Sequence, residues 1–194
     1  MPAVFVGTSR GGLLSMLMAV ARPTAIAGVV LNDIGPVIEP KGLARIKSYV
    51  GKLPQPASFE DGAEILRLLF DAHFPALTAE DWLAWARRSY KQGSRGLEPT
   101  YDVRLARTLE GIEFDKPLPA LWKEFEALTG MPLMVIRGGH SDLLSEETVA
   151  AMRERHPAMT ALTVPDQGHA PLLAEPDTIR RIAAFVDVCN DRAR

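Results

Sequence analysis

The chain has 194 residues, a length that suits one globular domain with room for an insertion. Its composition is ordinary, with 47% hydrophobic and 24% charged residues. The formal net charge is -2 and there is no basic stripe, so the sequence gives no reason to expect binding to nucleic acid or to an anionic membrane. The single cysteine, Cys189, cannot close an internal disulfide and is interpreted as a small buried hydrophobic residue.

The sequence pattern of the first 31 residues predicts a strand, a helix and a second strand. Residues 2–6 form a short apolar run that ends in a glycine-rich turn, residues 13–21 have helical composition, and residues 26–31 form another apolar run. The stretch after Arg10 ends in Ala-Val-Ala and imitates a signal peptide. Because the segment before Arg10 is apolar rather than basic, and no apolar run reaches the ~20 residues of a membrane span, we expect a cytoplasmic protein.

From residue 36 to about residue 130 the pattern changes to helices without intervening strands. Ser58 and Thr78 each precede an aspartate by three residues, which is typical of a capped helix start, and prolines separate the helical segments. The apolar side chains of this stretch need something to pack against. We therefore predict that residues 36–130 are a helical cap insertion that returns to the main core.

The strand pattern returns after residue 131. The predicted elements there are residues 132–136 and 161–164 as strands and residues 146–155 and 176–188 as helices. Residues 1–35 and 131–194 then form the core, as a βαβ unit and a βαβα unit on either side of the insertion. This order predicts an α/β fold with a mostly parallel sheet covered by helices on both faces.

The sequence Gly7-Thr8-Ser9-Arg10-Gly11 fits the pattern G-x-S-x-G. The two glycines keep side chains out of a tight strand-to-helix turn, and the following helix offers its N-terminal dipole and the Arg10 amide to an oxyanion. A simple glycine turn would also fit the pentapeptide, but its place between a predicted strand and a predicted helix favours Ser9 as a nucleophile. The same glycines fit neither a dinucleotide fingerprint nor a P-loop.

A serine nucleophile of this kind needs an acid and then a histidine, each after a later strand. Asp142 and His169 follow the third and fourth predicted strands, so we predict His169 as the base and Asp142 as the acid that orients it. Asp33 also ends a strand and is the alternative acid. We interpret Asp33 instead as a turn residue before a Gly-Pro pair.

The candidate residues for lining a substrate pocket are Trp82, Trp85, Tyr101 and His140. Apolar residues at helical spacing more often belong to a core than to a pocket, so both interpretations stay open for the aromatic residues. No histidines, cysteines or carboxylates have the spacing of metal ligands, and the predicted chemistry needs neither a metal nor a cofactor. The expected partner is a small-molecule substrate.

Three segments resemble motifs of the α/β-hydrolase superfamily, in members with a helical cap. Residues 7–12 are similar to its nucleophile elbow, residues 137–142 to its acid loop and residues 164–171 to its histidine loop. The resemblance implies a partial α/β-hydrolase fold with strands 5 to 8 of the family sheet. It also implies a serine hydrolase that acts on an ester-like or other carbonyl substrate through an acyl-enzyme, as esterases, lactonases and carbon-carbon bond hydrolases do.

In this family four strands precede the elbow, and a loop among them supplies a second oxyanion donor. Here the elbow begins at residue 7. The alternative hypothesis is therefore a catalytically incompetent fragment or pseudoenzyme of the same fold. Residues 3–6 would leave an open strand edge, so we expect the 194-residue chain either to form homo-oligomers through that edge or to be poorly soluble. We also expect it to have little or no activity on simple esters.

Overall fold

The computed structural model describes residues 1–94, 96–112 and 118–192. In chain order the elements are β1 (Ala3–Thr8), α1 (Arg10–Ala21), β2 (Ile26–Asn32), α2 (Pro40–Tyr49), α3 (Phe59–Phe70), α4 (Ala79–Ser89), β3 (Tyr90–Gly93), β4 (Gly96–Pro99), α5 (Trp122–Glu126), β5 (Leu133–Gly138), α6 (Glu146–Arg155), β6 (Thr160–Val164) and α7 (Pro176–Arg192). The chain divides into two compact units, one of Met1–Gly42 with Pro117–Arg194 and one of Leu43–Lys116. Within the described residues, no helix is both long and apolar enough to cross a membrane.

The first unit is built on a four-stranded parallel sheet in the order β1-β2-β5-β6. The pairing places Asn32 opposite both Thr8 and Ile136, and Gly138 opposite Val164. The carboxyl ends of all four strands therefore meet at one edge of the sheet, which is where open α/β sheets bind their ligands. The predicted α/β fold with a mostly parallel sheet is confirmed.

The sheet is stabilised by apolar side chains that the strands and α7 bury together. The core cluster consists of Val30, Met134, Ile136, Val164, Phe185 and Cys189. Gly28 of β2 makes room for α7, because a Cβ at that position would lie 2.3 Å from Cys189 Sγ. The two central strands, β2 and β5, are almost completely buried, which explains why their sequences are continuously apolar rather than alternating.

The second unit contains the capped helices that the sequence predicts. The Ser58 side chain accepts the Asp61 N–H at the start of α3, and Thr78 and Asp81 form a reciprocal capping box at the start of α4. The rings of Phe70, Phe74, Trp82 and Trp85 pack against one another. The prediction that this stretch lacks strands is wrong, because β3 and β4 pair as a short antiparallel hairpin.

Candidate active site

Ser9 lies at the sharp turn between β1 and α1. Its backbone has φ 51° and ψ -117°, a left-handed conformation that a residue with a side chain rarely adopts and that is typical of functional sites. Gly7 makes this turn sterically feasible, since a Cβ there would lie 2.5 Å from the Gly12 backbone nitrogen. The Ser9 amide donates to the Asn32 carbonyl at 3.0 Å, so the turn is fixed to the neighbouring strand.

His169 bridges Ser9 and Asp33. Its Nε2 lies 2.9 Å from Ser9 Oγ, and its Nδ1 lies 2.8 Å from Asp33 Oδ2. A carboxylate only accepts hydrogen bonds, so we infer that Nδ1 carries the proton and that Nε2 of the neutral ring accepts the Ser9 hydroxyl. The histidine is 8% exposed and the aspartate is fully buried, which shields their contact from water.

Asp33 is held by two further donors. The Gly138 amide donates to Oδ1 at 2.7 Å, and the Ser141 hydroxyl donates to Oδ2 at 2.6 Å. The Ser141 oxygen accepts the amides of Leu143 and Leu144, so its proton is directed to the carboxylate. Together with His169 these groups compensate for the burial of a charged side chain, which is costly when it lacks partners.

Asp142 was predicted as the carboxylate that orients His169, but the structure places the Asp33 carboxylate 2.8 Å from His169 Nδ1. Asp33 follows β2 directly, and β2 is the neighbour of the strand that carries Ser9. Asp142 comes four residues after β5, beyond a turn in which the Ser141 amide donates to the Gly138 carbonyl. Its own backbone packs against Gly42, where a Cβ would lie 2.5 Å from the Asp142 carbonyl oxygen.

Hydrogen bonds within the segment that follows β6 hold His169 in place. The Gln167 side chain accepts the Leu172 amide at 2.8 Å and donates to the Glu175 carboxylate. Gly138 approaches this segment closely, because a Cβ there would lie 2.4 Å from the Gln167 carbonyl oxygen. A glycine is therefore required where β5 passes the histidine loop.

The structure distributes the candidate pocket residues over both units. Trp82 is 3% exposed and stacks on Trp85 in the aromatic cluster of the second unit, which supports a core role for Trp82. The Tyr101 hydroxyl accepts the Gly51 amide at 3.1 Å within the same unit. His140 belongs to the first unit, where its amide donates to Gln167 and its Nε2 lies 3.6 Å from Asp166 Oδ1. A substrate-binding role for these residues stays a prediction.

A cavity of about 350 Å³ lies elsewhere in the first unit. Its lining includes Leu133 and Thr160, which begin β5 and β6, and Phe185 of α7. It therefore lies toward the amino ends of the strands and is not part of the site around Ser9. The described residues contain no group of three or more His, Cys, Asp or Glu side chains that could hold a metal ion.

Two similar proteins of known activity are both longer than this chain. The chain is 38% identical to the 3-hydroxybutyrate-oligomer hydrolase of Cupriavidus necator over 185 residues, which are 89% of the chain and 61% of that protein. It is 27% identical to the 2-(acetamidomethylene)succinate hydrolase of Mesorhizobium japonicum, with 95% of the chain and 64% of that protein covered. The chain thus spans less than two thirds of either relative.

A solved structure that resembles this chain is also a hydrolase. A crystallised α/β hydrolase of Novosphingobium aromaticivorans superimposes with a TM-score of 0.83 and 38% identity, covering 96% of this chain and 65% of that one. The model of the alpha/beta hydrolase family matches residues 2–182. The sheet, the strained serine turn and this match agree, and the chain belongs to the alpha/beta hydrolase family.

Proposed function

We propose that this chain carries the catalytic triad of a serine ester hydrolase, with Ser9 as nucleophile, His169 as base and Asp33 as the acid. The observation that carries the proposal is the pair of contacts from the two nitrogens of His169, 2.9 Å to Ser9 Oγ and 2.8 Å to Asp33 Oδ2. A hydroxyl bonded to an imidazole that is itself oriented by a carboxylate is the arrangement that activates serine for attack on a carbonyl.

The reaction would proceed in two halves. Ser9 Oγ attacks the ester carbonyl carbon while His169 Nε2 takes its proton, and the oxyanion is bound by the Arg10 amide at the N-terminus of α1. His169 then gives the proton to the departing alcohol oxygen, which leaves an acyl group on Ser9. Water, activated by the same histidine, releases that group as an acid and restores Ser9.

We propose short esters of hydroxy acids as the substrate class. The support is the 38% identity with a 3-hydroxybutyrate-oligomer hydrolase. In this account the second unit is a cap that selects the substrate, and the protein works in the cytoplasm. Asp33 in place of Asp142 changes the acid but leaves the chemistry of the sequence-based hypothesis intact.

A hydrolysis assay on a small panel of esters tests this function. The chain is incubated with a 3-hydroxybutyrate dimer, a 3-hydroxybutyrate trimer and a simple aryl ester, and acid release is followed by titration at constant pH. We expect hydrolysis that Ser9→Ala reduces at least 10³-fold, on the order of the effect of removing a triad member. Equal hydrolysis by Ser9→Ala would contradict the nucleophile. A folded chain that hydrolyses none of the esters would instead favour a non-catalytic role.

A further inference from the structure

Asn32, the last residue of β2, contacts both the turn that carries Ser9 and the loop that carries His169. Its side-chain Nδ2 donates to Thr8 Oγ1 and to the Pro171 carbonyl, each at 3.0 Å. Its backbone carbonyl accepts the Ser9 amide at 3.0 Å. One residue thus connects the nucleophile turn with the loop that holds His169.

The orientation of the Asn32 amide follows from its partners. The Pro171 carbonyl can only accept a hydrogen bond, so the NH₂ group and not the oxygen must face it. Asn32 is 1% exposed, and its Oδ1 is buried without a hydrogen-bond partner among the described residues. An unsatisfied buried acceptor destabilises a fold, so an apolar residue would suit this position better if the position served packing alone.

We propose that Asn32 is a positioning residue that fixes the separation between Ser9 and His169. This inference rests on the proposed function and adds a role that the triad does not include. Thr8 immediately precedes Ser9, and Pro171 lies two residues after His169. The two hydrogen bonds of Asn32 Nδ2 therefore join the segments on either side of the hydrogen bond between Ser9 and His169. Among the described residues, the direct contact between Ser9 and His169 is the 2.9 Å hydrogen bond between Oγ and Nε2.

The test uses Asn32→Leu, which removes both donors with little change in volume, and Thr8→Val, which removes one acceptor and leaves the Pro171 contact. The measured quantity is the second-order rate constant for labelling of Ser9 by a fluorophosphonate in the folded chain. We expect a fall of about 10- to 100-fold for Asn32→Leu, the range that corresponds to two ordinary hydrogen bonds, and a smaller fall for Thr8→Val. Asn190→Leu is the matched control, because Asn190 is exposed on α7, and should react like the wild type.

A purely structural role gives a different result. Asn32→Leu would then melt at a different temperature while its folded fraction is labelled at the wild-type rate, and that outcome overturns the proposal. If Asn32→Leu does not fold, the rate for Thr8→Val decides, and a wild-type rate there contradicts the proposal.

A second measurement separates this inference from the proposed function. The low-field proton signal of His169 Nδ1–H reports the contact with Asp33 by NMR without any substrate. We expect its exchange with water to be faster in Asn32→Leu than in the wild type, and unchanged exchange would contradict the positioning role. If wild-type Ser9 does not react with the probe at all, the proposed function fails, and the NMR measurement alone decides the role of Asn32.

Discussion

At the scale of single residues, Asp33 and Asp142 compete for the role of the acid, and the contacts of His169 favour Asp33. We predict that Asp33→Asn lowers the rate of ester hydrolysis by roughly 10⁴-fold, by analogy with the protease triad, because an amide at this position favours the wrong imidazole tautomer. Asp142→Asn should stay within a few-fold of the wild type. Steady-state kinetics on one ester, with both variants shown to unfold cooperatively, checks the expectation.

The two variants are matched, since each exchanges one carboxylate for an amide at the carboxyl end of a neighbouring strand. An inactive Asp142→Asn variant together with an active Asp33→Asn variant would restore the sequence-based assignment of Asp142 as the acid. It would also mean that the contact between His169 and Asp33 is not the one used in catalysis.

The sequence predicted Ser9 and His169, whose side chains the structure brings together, but it selected Asp142 rather than Asp33 as the carboxylate beside the histidine. Ser9 and His169 could be predicted because their glycine-containing loops follow apolar runs in the required order. Asp33 satisfies the same rule, and what decides for it is three-dimensional: a positive φ of 55°, and the meeting of Gly138 and Ser141 around its carboxylate. A useful signal was that Asp33 comes two residues after the apolar run 26–31, which is the first such run after the helix that follows Ser9.

Cys189 provides a second test at the residue scale. It is fully buried in the core cluster, and burial raises the pKa of its thiol, so the reactive thiolate is rarer than in an exposed cysteine at the same pH. We predict negligible reaction with a thiol reagent such as DTNB in the native chain and stoichiometric reaction in strong denaturant. Rapid native labelling at neutral pH would show that α7 does not stay packed on β2.

At the scale of secondary-structure elements, β1 is an end strand of the four-stranded sheet. It pairs with β2 on one side, and among the described residues no strand pairs with its other side. Val6 on this strand is 50% exposed. Unpaired strand edges tend to pair with another chain, so we propose that β1 mediates self-association and predict concentration-dependent oligomers in sedimentation velocity.

A charge on the edge strand should weaken this association. Val6→Lys is expected to shift the distribution toward monomer, whereas Val20→Lys, at a similarly exposed position on α1, should leave it unchanged. A monomeric wild type over the whole concentration range would contradict the proposal. An identical response to both substitutions would mean that another surface is responsible.

Element prediction was most accurate where the pattern was long and carried end signals. Residues 146–155 were predicted as a helix and form α6 with those bounds, because Ser145 caps the helix and glutamates occupy its first turn. The hairpin of β3 and β4 was missed, since each strand has only four residues and their sequences, YKQG and GLEP, contain little apolar alternation. Such short strands are formed by their pairing rather than by local propensity.

At the scale of the whole molecule, the sequence predicted a core interrupted by an insertion, and the structure has two compact units of which the second, Leu43–Lys116, lies inside the predicted range of residues 36–130. The order of strands in the sheet was accessible only through the family resemblance. It matters for function, because it places the ends of β1, β2 and β6 close enough for Ser9, Asp33 and His169 to meet.

The central claim is that Ser9 is a nucleophile activated by His169, and covalent labelling tests it without knowledge of the substrate. The chain is treated with a fluorophosphonate, digested, and the modified residue is located by mass spectrometry, with Ser9→Ala treated in parallel. We predict a single adduct on Ser9, absent from Ser9→Ala, because only a serine with an adjacent base reacts at a useful rate. An adduct on a different residue, or equal modification of Ser9→Ala, would contradict the account.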